Sequence, residues 1–206
     1  MPNDKVPTAG ELKDAIKKAV TNAVRDLFKI EEDFYFLVLF TSGEAHPPAL
    51  SAGSVEGLER VVKKYVEEYG HDPDEPNLKA DLKWSFADSP YDCWEYEKYF
   101  AEVQALFDLR PQIDEFIDIT TKDKAREEEL SRKWAEEYDL RLGAMVQALA
   151  ELDAEDVFER KTKRKHLFLN VAPEHLNVRR TALLLNAGEA LKQAIEDDAL
   201  EPDDVE

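Results

Sequence analysis

Only one cysteine, Cys93, occurs in 206 residues, so no disulfide can close within the chain and no cysteine-based zinc site can be built. Long apolar runs are missing too. Nothing approaches the roughly eighteen apolar residues of a membrane span, and the opening MPNDKVPTAGELKDAIKK has no signal-peptide core. The expectation is a cytoplasmic protein. Glycine is scarce, at 7 residues, and no Gly-rich turn separates a strand from a helix. That argues against a nucleotide-binding doubly wound sheet. Positive charge is the largest deficit: 27 Lys and Arg face 46 Asp and Glu, for a net charge of −19. Such a surface repels nucleic acid and membranes, so neither is expected as a partner. It serves solubility, and it speeds encounter with a basic protein.

Charged residues make up 35% of the chain, yet the apolar 43% suffices for one sizeable core. Apolar positions at steps of three and four (Leu12, Ile16, Ala19, Val20, Ala23, Leu27) predict a helix over 11–29. Thr8 and Glu11 form a capping box before it. FYFLVLFT, 34–41, is an unbroken aromatic and aliphatic run and predicts a buried central strand. ALSA returns as a short edge strand, and Ser54 or Gly53 caps a helix over 55–69 that ends at Gly70. Within that helix, Leu58, Val61, Val62, Tyr65, Val66 and Tyr69 face inward. ADLKWSF, 80–86, alternates like a strand, with Leu82 and Trp84 on one face. A helix follows over 95–109, then a helical turn after Pro111, then the longest helix over 122–152. HLFLNVA, 166–172, is the last strand. One or two closing helices break near Asn186 or Gly188.

The order implies an α+β fold: a small mixed or antiparallel sheet of about four strands, packed by several helices. Residues 1–200 form one domain and 201–206 an acidic tail.

The densest stretch is LKWSFADSPYDCW, 82–94. As architecture, Asp88 accepts backbone N–H groups within its own turn and Ser89 or Asp92 caps the next helix, which starts near Asp92. Trp84 is then buried against the first or the long helix, and Tyr91 and Trp94 pin the corner. Cys93 is a buried packing residue. As a site, Trp84, Asp88 and Tyr91 present a binding face. Alternatively, Asp88 and Asp92 join Glu44 and His46 of SGEAHPP around an acid–base pocket. SGEAHPP itself reads as a hairpin turn with Gly43 at positive φ. Glu44 and His46 lack an identifiable third ligand, so no metal is expected, and no motif calls for a cofactor. The one basic cluster is ERKTKRKH, 159–166, and its natural partner is the acidic run Asp153, Glu155, Asp156.

TSGEAHPPALSAGSVEGLERV, LKWSFADSPYDCWEYEKYF, the step Leu109-Arg110-Pro111 and ALAELDAEDVF together resemble the bacterial family of domain of unknown function 4303. The resemblance spans roughly residues 11–190 and implies a bacterial, cytoplasmic α+β protein with no catalytic role to inherit. One departure is visible. Members of that family often carry Gly after the Ala-Leu-x-x-Leu-Asp step, where this chain reads ELDAEDVFERKTKR.

Three functions are weighed. The first is a binding protein of immunity type that neutralises a basic toxin through carboxylates on two helices, Glu67, Glu68, Glu127, Glu128 and Glu129. The second is an enzyme built on Glu44, His46, Asp88 and Asp92. The third is a module that associates with itself through the long helix. The first is the expected function, without catalysis.

Overall fold

The structure is a computed structural model describing residues 5–72, 75, 77–117, 122–159, 164–173, 178–197 and 200; the 201–206 tail and residues 160–163 of the basic cluster lie outside these. Helix α1 spans Ala9–Leu27, and Thr8 and Glu11 close the capping box reciprocally. Strand β1 is Phe34–Thr41 and β2 is Ala49–Ser54. Helix α2, Val55–Tyr69, is capped by Ser54 and ends at Gly70 with φ 75°. Then come α3 (Leu78–Lys83), α4 (Tyr96–Tyr99), α5 (Ala101–Asp108) and a 3-10 turn at Ile113–Phe116. The long helix α6 is Lys124–Ala154, β3 is Phe168–Pro173, and α7 (Val178–Leu185) and α8 (Glu189–Glu196) close the chain. The fold is α+β.

Strand order is β2-β1-β3, with β1 antiparallel to β2 and parallel to β3. Central β1 is buried on both faces, as its unbroken apolar run requires. Phe34, Leu37 and Leu39 face a core built with α1, α5 and α6. Phe36 and Val38 face a second core with Phe168, Ala182, Ala190 and Ala194. A bulge between Phe34 and Phe36 changes the alternation, which places Tyr35 and Phe36 on the same side. The Phe36 ring then lies over Gly53, where a Cβ would come within 2.2 Å of it.

Among the described residues three strands form, not four. Residues 78–83 are helical because Leu78 and Leu82, four apart, pack together on Leu58 and Val61 of α2. The alternation of Leu82 and Trp84 is incidental. The chain turns after Lys83 and sends Trp84 to the second core. There it meets Tyr35, Phe36 and Phe168 at centroid distances of 5.5, 6.2 and 5.5 Å. Trp84 is therefore half-buried against the sheet, not buried against α1 or α6. Its indole Nε1 donates to Asp197 at 3.0 Å and so ties down the end of α8. On α2, Tyr69 points outward, 58% exposed.

Both sheet edges are covered, which removes two templates for edge-to-edge aggregation. Along β2, Ala52 N donates to Tyr91 O at 3.3 Å and Trp94 N to Leu50 O at 2.8 Å. Ser89 Oγ donates to Ala52 O, and Cys93 N to Ser51 Oγ at 3.1 Å. Along β3, the buried Asn186 carboxamide accepts from Leu169 N at 2.8 Å and donates to Leu169 O at 2.5 Å, as a fourth strand would. Thr181 Oγ1 donates to Val171 O at 2.7 Å. Asn186 is thus more than a helix breaker.

The end of α6 shows where glycine would fit within ELDAEDVFERKTKR. Asp156 adopts φ 57°, and Val157 N reaches back to Leu152 O at 3.0 Å. That is a left-handed helix terminus of the kind glycine fills without strain. Asp156→Gly should raise stability by about 0.5–1 kcal/mol, read as a higher urea midpoint at unchanged slope. An unchanged midpoint would mean that the Asp156 side chain offsets its own strain. Beside this terminus, Arg164 of the basic cluster donates to Asp153 of the acidic run at 2.5 Å.

Candidate functional site

The thirteen-residue stretch at 82–94 is largely an architectural corner, though its parts differ from the sequence reading. Asp88 accepts from side chains, Tyr65 Oη and Ser85 Oγ, both at 2.6 Å, and not from the backbone of its own turn. Residues 92–95 form a turn with Cys93 and Glu95 at φ 44° and 47°, so the helix starts at Tyr96, not Asp92. Because the turn must first run along β2, neither Ser89 nor Asp92 caps it. Ser89 binds Ala52 O, and Asp92 accepts from Ser51 Oγ at 2.8 Å.

Cys93 is exposed, not buried packing. Partial desolvation of its sulfur and the adjacent Asp92 carboxylate, to which Sγ donates at 3.3 Å, push the thiol up to about 11. It is a poor nucleophile near neutral pH.

Tyr91 is buried and belongs to a polar knot. Its hydroxyl donates to Glu32 at 2.7 Å and accepts from Arg60 at 3.0 Å, while Arg60 pairs with Glu32 at 2.6 Å. Burial opposes ionisation of Glu32, but hydrogen bonds from Arg60, Ser54 and Tyr91 outweigh it and hold the carboxyl below its ordinary value. The knot joins α2, the β1 entrance and the corner.

The SGEAHPP turn differs from the expected one. Ala45, not Gly43, takes the left-handed conformation (φ 51°), and it is fully buried. Ser42 Oγ lies 2.6 Å from His46 Nδ1, and Glu44 lies 3.8 Å from the same nitrogen. Glu44 and His46 are therefore neighbours. Asp88 and Asp92 take their hydrogen bonds elsewhere: Asp88 from Tyr65 and Ser85, Asp92 from Ser51 and Cys93. Among the described residues no group of three or more His, Cys, Asp or Glu could hold a metal ion. No helix among them is long and apolar enough to cross a membrane.

Glu44 does face a groove, of about 410 Å³, but the opposite wall is α6. Phe116, Ile117, Leu130 and Trp134 supply its apolar lining, and Glu44, Glu127 and Ser131 its polar groups. Trp134 stacks on Tyr138 at 5.0 Å and 9°. The groove forms because the amino-terminal half of α6, exposed except at Leu130 and Trp134, crosses the 3-10 turn without closing on it. Glu44 and Glu127, which the sequence offered for separate roles, line this one groove. Glu67, Glu68, Glu128 and Glu129 lie exposed outside it, with Glu67 3.8 Å from Lys63 and Glu129 2.6 Å from Lys133.

Sequence reasoning missed a buried ionic triad. Glu137 on α6 accepts from Arg110 at 2.6 and 2.5 Å and from Arg141 at 2.7 Å. Arg110 also donates to Pro7 O, and Arg141 to Pro111 O at 2.7 Å. The spacing of Glu137 and Arg141 at i, i+4 was the available signal, and the charge-rich helix hid it.

These features define an α+β protein with a three-stranded mixed sheet between helical layers and a carboxylate-edged apolar groove on one side. The chain belongs to the family described as Domain of unknown function (DUF4303), which matches residues 12–187. No curated protein and no solved structure matches it.

Proposed function

We propose that this protein is a non-enzymatic binding protein of immunity type that neutralises a basic toxin. The observation that carries the reading is the groove: apolar surface left open on a protein of net charge −19, with Glu44 and Glu127 at its edges. A cationic partner with an apolar anchor would match both properties. Glu67 and Glu68 support it from α2. They sit in its last turn, which holds no basic residue of its own and where the helix dipole disfavours negative charge; Glu67 meets Lys63 one turn back, at 3.8 Å. Both are exposed, and a basic partner would offset the unfavourable dipole.

The test is protection. Co-expression with a basic toxin encoded beside this gene should restore growth, and the purified pair should form a complex that weakens steeply with salt. Glu44→Lys with Glu127→Lys should abolish both. Continued killing together with no salt-sensitive complex would refute the reading.

A further inference from the structure

We infer that the groove between the β1–β2 turn, the 3-10 turn and α6 is an arginine-recognition site, which takes a single guanidinium side chain from the partner. The inference rests on the binding-protein reading only for where that arginine comes from. Its volume, about 410 Å³, lies at the small end of ligand sites. That suits one long side chain better than a helix or an extended peptide.

The chemistry of the lining selects the side chain. Trp134 and Phe116 offer aromatic surface, and Leu130 and Ile117 offer aliphatic surface for a methylene stem. Ile117 is 53% exposed, which is uncovered apolar area at the groove mouth. Tyr138 covers one face of the Trp134 indole, so the groove is lined by the rest of a ring held rigidly in place. Aromatic surface attracts a cation most strongly when the ring is preorganised and partly desolvated.

Two carboxylates complete the site. Glu127 carries no ion pair among the described residues, and the only basic side chain within 4 Å of the Glu44 carboxylate there is His46, at 3.8 Å. Elsewhere on α6, Glu129 and Glu136 are each paired with a basic residue on the same helix. A planar, weakly hydrated guanidinium can lie along an aromatic ring while its N–H groups reach carboxylates at the rim. An ammonium is a compact, strongly hydrated charge and stacks less well, so arginine is favoured over lysine.

A small probe tests this without any toxin. The intact ¹⁵N-labelled chain has 3 Trp indole N–H resonances, and Trp134→Phe identifies that of Trp134. Titration with N-acetyl-arginine amide should move that resonance to saturation. N-acetyl-citrulline amide, a neutral isostere, should leave it in place. Glu44→Gln with Glu127→Gln should weaken the arginine probe about tenfold, and Glu67→Gln with Glu68→Gln, outside the groove, should not. Equal shifts with arginine and citrulline, or an unchanged titration in the groove variant, would overturn the assignment. Failure here leaves the protection assay to judge the binding-protein reading, and failed protection with an intact titration would reject that reading alone.

Discussion

Glu137→Ala should destabilise the protein by about 3–5 kcal/mol, the cost of leaving buried charge without its partner. Glu137 is 6% exposed and Arg141 2%, and the Arg110 side chain is 8% exposed. Removing the carboxylate strands two guanidinium groups where water cannot reach them. The damage should spread, because Arg110 and Arg141 hold Pro7 O and Pro111 O and so dock the amino-terminal segment and the α5 exit on α6. Urea denaturation measures the loss. Double substitution of Arg110 and Arg141 by methionine alongside Glu137→Leu should recover much of it, since an apolar replacement of a buried triad removes the desolvation cost as well. A Glu137→Ala protein with the parent's midpoint would show that water enters the triad.

The same carboxylate sets a pH dependence. Burial disfavours its ionised form, but hydrogen bonds from Arg110 and Arg141 outweigh this and hold its pKa below the ordinary glutamate value. A depressed folded-state pKa gives stability that is complete above the unfolded value, about 4.3, and lost as pH falls through the folded one. The stability gap between the parent and Glu137→Gln should therefore narrow on acidification below that range.

Trp84→Ala should cost about 3 kcal/mol, the lower end for a large aromatic, because Trp84 is only half-buried. The loss should be concentrated in the second core. Trp84 packs on Tyr35, Phe36 and Phe168 and binds Asp197, whose other partners are Lys83 and Gln193. Hydrogen exchange should accelerate in α8 before it does in α1. Trp84→Phe should keep most of the ring contact and lose only the Asp197 bond, at about 1 kcal/mol. Equal acceleration in α1 and α8 would mean that the two cores unfold as one.

Local signals determined much of this protein. The Thr8–Glu11 capping box, the Ser54 cap, the left-handed Gly70 and the apolar period of α1 each act within a few residues, so their meaning survives without neighbours. The unbroken apolar run of β1 likewise requires cover on both faces wherever it lies. Residues 78–86 could not be read this way. Leu82 is compatible with a strand face shared with Trp84 and with a helix face shared with Leu78, and only contact with Leu58 and Val61 selects the helix. Tertiary structure also decided which residues share a site. Glu44 and Glu127 are 83 positions apart in the sequence (127 − 44), and no local pattern links them to one groove. Asn186 reads as a helix stop until Leu169 presents an unpaired N–H and C=O beside it. Arg110, Glu137 and Arg141 look like three surface charges among many until the fold removes water from around them.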